Sequence, residues 1–349
     1  MDSVQVRLSH GSRTGENGMK PVKKSGISGS TIKIIAVAAM LIDHIAAVVL
    51  TRQIMAKGYM DIVKGSQSQI AVWLAENGSL FYGMQIMRMI GRLGFPIFCF
   101  LLTEGFCRTR DVKKYALRLG LFAVISEVPF NLAITGHLMH LGYQNVYFTL
   151  LFGLFALCGY AFFDRYEQDE KKELPDILRM FLTITGVLAP ASLVAIFVPL
   201  SSGQGGFGAK LAVRVGILCA VTAAVLVGYG CMKGIRRVQT VCADLTVLGA
   251  MMILAEYLRT DYGGMGVLTI TAMYIFRKKK VVSVLAGCIV LTLMTFSEAP
   301  AFLILIPIAL YNGRRGLKMK YFFYAFYPVH LLVLYGISVL LGLGEIMLF

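Results

Sequence analysis

Charged side chains are scarce in this chain: Asp, Glu, Lys and Arg make up 15% of its 349 residues against 57% for the apolar types, and acids number only 19. Such a chain cannot clothe a folded surface in ionised groups, which excludes an ordinary soluble domain. Its seven cysteines form no CxxC pair and keep no Cys/His spacing suited to zinc, so no metal is expected. Nine prolines and 36 glycines are scattered without a period, which excludes collagen-like and low-complexity chains. The apolar stretches do not alternate with polar residues as the strands of a membrane β-barrel do. HExxH, P-loop and nucleophile-elbow patterns are absent as well.

What is present is a succession of apolar runs. A helix needs roughly 20 apolar residues to cross a hydrocarbon core about 30 Å thick. Such runs lie at about 31–50, 80–106, 115–136, 145–163, 180–200, 211–232, 239–258, 264–276, 281–296, 299–312 and 321–341. They predict an all-α fold, a polytopic integral-membrane helical bundle of about 10–11 transmembrane helices filling 31–341. A basic, disordered tail is expected at 1–30 and a short external tail at 342–349. The three runs between 264 and 312 are short for a crossing, so tilt or a partly re-entrant path is expected there.

The formal charge of +15 sits in short clusters between the apolar runs, which fixes membrane orientation and does not call for a nucleic-acid partner. Alternate connections carry 26 and five Lys or Arg residues. The richer set, comprising the tail through Lys33, 107–118, 164–179, 233–237, 277–280 and 314–320, is predicted to be cytoplasmic. The poorer set, comprising 51–79, 137–144, 201–210, 259–263 and the C-terminal tail, is predicted to be external. A multi-pass protein of the cytoplasmic (inner) membrane follows, with its N-terminus inside and its C-terminus outside. Trp73, in the 51–79 connection, is expected to anchor an amphipathic stretch in the interface.

Ionisable groups inside spans are costly and therefore suspects for function. Five share one depth. His44 lies eleven residues past Lys33, about 16 Å along a helix. Glu127 is nine past Arg118 and His330 ten past Lys320, while Arg88 and Arg92 are six and ten past Tyr82 in a helix entering from the other side. Two imidazoles, a carboxylate and two guanidinium groups in a low-dielectric layer are the parts of an acid/base site. Asp43 adjoins His44 but points about 100° away, so the carboxylate that orients His44 is expected from another span, with Glu127 the candidate. The plainer alternative is a set of interhelical pairs, such as Arg92 with Glu127, that specify packing. At the basic end, the turn Asn312-Gly313-Arg314-Arg315-Gly316 offers backbone amides and arginines to a phosphate. A GxGxxG pattern at Gly203, Gly205 and Gly208 follows no strand and reads as a loop.

Several segments resemble a known family: KIIAVAAMLIDHIA (33–46), RMIGRLGFPIFCFLLTEGF (88–106), KKYALRLGLFAVISEVPFN (113–131), NVYFTLLFGLFAL (145–157), DYGGMGVLTI (261–270), LYNGRRG (310–316) and KYFFYAFYPVHLLVLY (320–335). They look like TraX, membrane acetyltransferases named for N-terminal acetylation of conjugative F-type pilin. The Lys33-x10-His44 spacing also resembles the Arg/Lys-x10-His signature of transmembrane acyltransferases that modify surface glycans. The resemblance implies His44 as catalytic and acetyl-CoA as donor. Glu127, Arg92 and His330 are expected beside His44 in the reaction, and Lys33, Asn312, Arg314 and Arg315 are expected to hold the donor. Asp43, Arg88, Asn145, Asp261 and Tyr327 are expected to meet the acceptor. Membrane lipid, acyl-CoA and a peptide or glycan acceptor are the expected partners. A reading of another class, a proton-coupled transporter or flippase using the same layer as a relay, stays open.

Cysteines introduced near Lys279 and Lys318 are expected to react with an impermeant maleimide only when the reagent reaches the cytoplasm, and one near Gly206 from outside. The reverse pattern would exchange the donor and acceptor sides.

Overall fold

The computed structural model describes residues 26–169, 173–197, 207–317 and 320–346. Residues 1–25 of the tail expected at 1–30, Lys318, the last residues 347–349 and the Gly203 and Gly205 part of the glycine pattern lie outside them, whereas within 26–30 Ile27 bridges Tyr311 and Gly29 opens a helix. Gly208 already belongs to a helix.

Helix α1 (Gly29–His44) starts at Ser28, whose hydroxyl accepts the Thr31 N–H. It does not stop at His44. Residues Ile45–Leu50 continue as π-helical turns into α2 (Thr51–Ala56). Then come the short α3 (Tyr59–Ile62), α4 (Gln67–Gly91), opened by a Ser66/Gln69 capping box, and α5 (Gly94–Arg108). The run expected at 80–106 is thus two helices with a break at Arg92 and Leu93, and most of the expected 51–79 connection is helical. Trp73 is buried within this stretch. Its Nε1–H donates to the Lys57 carbonyl at 2.9 Å, and its ring packs on Tyr59 and Phe81. An indole whose N–H and ring both find partners in its own hairpin clasps that hairpin.

The chain continues through α6 (Val112–Thr135), α7 (Val146–Gln168), α8 (Asp176–Phe197), α9 (Phe207–Lys233), α10 (Ile235–Tyr257), α11 (Gly263–Ile275) and α12 (Lys280–Met294). A 3-10 helix (Phe296–Ile304), α13 (Leu305–Leu310) and α14 (Lys320–Leu340) complete it. Asp111 caps α6 and accepts the Lys114 N–H at 2.9 Å, which holds its carboxyl below the usual range. Among the described residues the strand-like pairing is limited to two isolated parallel bridges, Ile27 with Tyr311 and Gln144 with Thr260. Seven helical stretches among the described residues are long and apolar enough to cross a bilayer, with three shorter apolar ones at Gly263–Ile275, Lys280–Met294 and Phe296–Leu310. The fold is therefore an all-α, multi-pass membrane bundle.

The connections gather at two ends and at one level between them. At the basic end, Gly29 N–H donates to the Arg314 carbonyl (2.7 Å) and Arg108 Nη1 to that of Gly313 (3.1 Å). At the opposite end, Arg52 Nη1 donates to the Ala133 carbonyl and its Nε to that of Ile346. The turn before α7 stops short of that end. Asn145 Nδ2 bonds the Ala123 carbonyl (2.8 Å), twelve residues or about 18 Å before α6 finishes at Thr135. The loop after α10 meets this turn, with Gln144 N–H on the Arg259 carbonyl and Asp261 N–H on that of Gln144. Helix α11, with 13 residues, is only about 20 Å long, as its short apolar run implied. Helices α7, α10 and α11 thus end part-way up the bundle, while α1 with α2, α6 and α14 run on past them.

Close approach of these helices relies on small residues, since lipid supplies no hydrophobic drive for helix association. A Cβ on Gly186 of α8 would lie 2.5 Å from the Cys242 carbonyl oxygen of α10, whereas Gly216 of α9 has open space around it. Gly186→Ala is expected to lower the thermal unfolding midpoint, at a cost of about 1–3 kcal/mol. Gly216→Ala should leave it unchanged or slightly raised. Equal midpoints for the two variants in detergent would contradict this packing.

Candidate active site

Two histidines from distant parts of the chain meet at the level where the short helices end. His44 closes α1 directly before the π-helical turns, and His330 lies in the middle of α14. His44 Nδ1 is 2.6 Å from His330 Nε2, and the rings stack at 4.8 Å between centroids. His330 Nδ1 lies 2.7 Å from the Phe326 carbonyl. A carbonyl only accepts, so His330 Nδ1 carries a hydrogen. In a neutral ring Nε2 is then a lone pair, which must accept the hydrogen on His44 Nδ1. The chain of bonds leaves His44 Nε2 unprotonated. Tyr327 sets its ring edge against both imidazoles at 5.9 and 5.8 Å, and Phe326 stacks on His330 at 4.7 Å. His330 and Tyr327 are buried, while His44 is half-buried and forms the open end of the pair. Pro328 cannot donate within α14, and the Tyr324 carbonyl it leaves free takes the Tyr147 hydroxyl at 3.3 Å.

Beside the histidines stand two ion pairs. Arg88 Nη1 meets Asp43 Oδ2 at 2.6 Å, and Arg92 Nη1 meets Glu298 Oε1 at 2.8 Å. Gly91 makes the first possible, because a Cβ there would lie 2.1 Å from Asp43 Oδ1. Asp43 turns to Arg88 and away from His44, as the helical offset requires. Glu298 is 1% exposed and sits in the 3-10 helix between α12 and α13. Asp43 Oδ1 and Glu298 Oε2 are buried and accept no hydrogen bond among the described residues. Asp261 Oδ1 accepts the Tyr143 hydroxyl at 2.7 Å. Next in sequence, Tyr262 has a left-handed backbone (φ 64°), stacks on Phe95 at 3.7 Å and turns its hydroxyl to Arg92.

Glu127 has another occupation than the expected one. Its Oε1 accepts the Asn145 backbone N–H at 3.0 Å and also the Asn145 side-chain amide, and its Oε2 takes Asn131 Nδ2 at 3.4 Å. A carboxylate in an apolar setting is captured by the nearest N–H donors, and Asn145 supplies two. His330 thus bonds His44 in the place expected for Glu127, and Arg92 pairs with Glu298 instead of Glu127. Fully buried Asn145 also caps α7 through Oδ1 on the Tyr147 N–H (3.0 Å), so it holds the loop in place.

At the basic end, Lys33, Asn312, Arg314 and Arg315 come together. Asn312 N–H donates to Ile27, its Nδ2 to Gly26, and its Oδ1 accepts the Arg314 N–H. The Asn312 amide is therefore already bonded within the turn and to 26–27. The exposed guanidinium groups of Arg314 and Arg315 are left for an anion, along with the Lys33 ammonium, which lies 5.5 Å from the Phe323 ring centre. Among the described residues no three His, Cys, Asp or Glu side chains gather where they could hold a metal ion.

Removing one partner of a buried pair strands the other, so Glu298→Gln is expected to destabilise the protein by about 3–5 kcal/mol. Replacing Arg92 and Glu298 together by methionine should recover most of that loss, as read by thermal unfolding. Strictly additive losses would show that the pair is not coupled.

A family profile described as "TraX protein" matches residues 28–166 and 209–338. Every residue of the layer just described lies within those segments, while the whole of α8 lies outside. The chain is also 26% identical over 318 residues to a protein of Dichelobacter nodosus described as "Probable fimbrial assembly protein FimC, serogroup H1". The alignment covers 88% of this chain and 94% of that protein. No solved structure matches.

Proposed function

The chain belongs to the TraX family, and from that premise we propose that it is a cytoplasmic-membrane acetyltransferase that moves an acetyl group from acetyl-CoA to an acceptor arriving from the opposite side. The observation that carries this reading is the chain of hydrogen bonds from the Phe326 carbonyl through His330 to His44. It presents an unprotonated Nε2 on the half-open imidazole and a second imidazole behind it to share charge. The collection of Lys33, Arg314 and Arg315 at one end supports donor entry there, with the charged nucleotide outside and the uncharged pantetheine arm reaching inward. The excess of basic residues at that end supports placing it in the cytoplasm.

In the reaction, the acceptor amine or hydroxyl attacks the thioester carbonyl while His44 Nε2 takes its proton. As that proton arrives, the hydrogen on His44 Nδ1 can pass to His330 Nε2, and the Phe326 carbonyl steadies the resulting cation. Arg88 and Arg92 each keep N–H groups beyond their carboxylate bonds and can stabilise the oxyanion. Asp43 Oδ1 and Glu298 Oε2 are buried acceptors suited to the N–H or O–H of the incoming group. The C–S bond then breaks, the sulfur leaves as thiolate, and the proton held by the histidine pair returns to give free CoA thiol and acetylated acceptor. The description of the D. nodosus relative as a fimbrial assembly protein favours a pilin-like peptide N-terminus as acceptor over a glycan.

Purified protein given acetyl-CoA and a peptide with a free N-terminus is expected to release CoA thiol. No release would overturn the reading in favour of a transporter. His44→Ala should lower turnover by about 10²–10⁴-fold with donor binding retained. His330→Ala should leave more activity, because it removes charge sharing and orientation but not the attacking base. Replacing Arg314 and Arg315 by glutamine should raise the donor KM with little change in kcat, since a remote phosphate contact is equal in ground and transition states.

A further inference from the structure

Arg52 lies outside the polar layer and is fully buried. Its Nε donates to the Ile346 carbonyl at 2.9 Å, and its Nη1 to those of Val48 at 2.9 Å and Ala133 at 2.7 Å. These carbonyls lie where regular α-helix is interrupted or ends: Val48 is in the π-helical turns, Ala133 is in the last turn of α6, and Ile346 lies beyond α14. They fix the fork of the guanidinium but do not neutralise its charge. Its Nη2 is buried with no hydrogen-bond partner among the described residues. The Tyr335 ring, 6.0 Å away, is the neighbour that acts on its charge, and among the described residues no carboxylate does so. A buried cation with two idle N–H groups is costly until an anion completes it.

Its height identifies the anion. Arg52 follows His44 by eight residues along one continuous helix, about 12 Å, and follows Gly29 at the basic end by about 35 Å. A hydrocarbon core is about 30 Å thick. Arg52 therefore stands at the headgroup level of the leaflet opposite the basic turns. Leu138 and Met139 after α6, and Val339, Leu340 and Leu341 at the end of α14, are exposed at the same end and suit acyl chains.

We propose that Arg52 anchors a phosphate site for a phospholipid headgroup of that leaflet, with both Nη2 hydrogens donated to phosphate oxygens. The turn Leu341–Ile346, which contacts the guanidinium through the Ile346 carbonyl, shifts to admit the headgroup. The site lies one leaflet surface away from the histidine pair and stands whether or not that pair transfers acetyl groups.

The test is thermal unfolding of the full chain in a neutral detergent with dihexanoyl phosphatidylglycerol, with dihexanoylglycerol lacking phosphate, or with inorganic phosphate. Phosphatidylglycerol is expected to raise the midpoint, the phosphate-free lipid to leave it unchanged, and inorganic phosphate to give a minor part of the shift. Arg52→Gln should lose most of the response, whereas Arg314→Gln with Arg315→Gln, at the other end, should keep it. An equal response in the wild type and Arg52→Gln, or its loss in the double variant instead, overturns the proposal. A full shift with inorganic phosphate alone overturns the lipid as the source of the anion. If Arg52→Gln does not fold, Arg52→Lys, which keeps the charge but not the fork, is compared with the wild type by native mass spectrometry. One retained phosphatidylglycerol on the wild type and none on Arg52→Lys supports the site, and equal retention overturns it.

Discussion

Inside a hydrocarbon core a polar group has no water to fall back on, so each one must be answered by another part of the protein. That constraint organises this bundle. Asn145 sits at the level of Ala123 because Glu127 and the Ala123 carbonyl receive its donors there. The loop after α10 follows, through its backbone bonds to Gln144. The turn between α12 and α13 is tied to the α4–α5 break by Arg92 and Glu298. These links bring three chain reversals to one plane in the middle of the fold, next to the one place where α1 and α14 join their histidines.

The same plane separates two kinds of space. Towards the basic end the short helices complete the packing around a core that includes Ile97, Leu154, Ile270 and Ile304. Beyond the plane the longer helices continue without them. A group held at His44 would therefore rest on a polar floor carrying two arginines and two carboxylates with open lone pairs. Under the proposed function, donor and acceptor approach that floor from opposite sides. On that proposal a peptide acceptor would need no passage through the packed half.

Counting helical rise from the basic marks at Lys33, Arg118 and Lys320 sufficed to put His44, Glu127 and His330 at one depth, because a continuous helix has a fixed rise. It could not say which of them touch, since contact depends on the rotation and neighbours of each helix. Glu127 and His330 shared a depth with His44, yet one serves a loop and the other the imidazole. Glu298 escaped the sequence reading altogether. It lies at the edge of an apolar run that turns back part-way, and a lone acid there looks like an ordinary boundary residue. Its one visible signal was an acid in a segment too short to reach either surface. Arg52 was counted as an external charge for the same reason: a tally of charges per connection carries no information on burial.

The sequence by itself determined the class of the protein, its eleven apolar segments, the gathering of its basic turns at one end and the family resemblance. All of these follow from composition and from periodicities local to each segment. Only the tertiary structure decided the partners: His330 for His44, Glu298 for Arg92, Asp43 for Arg88, Asn145 for Glu127, and main-chain carbonyls with the Tyr335 ring for Arg52. Those choices rest on distances of a few ångströms between residues far apart in the chain. The short range of hydrogen bonds makes them a property of the packed bundle.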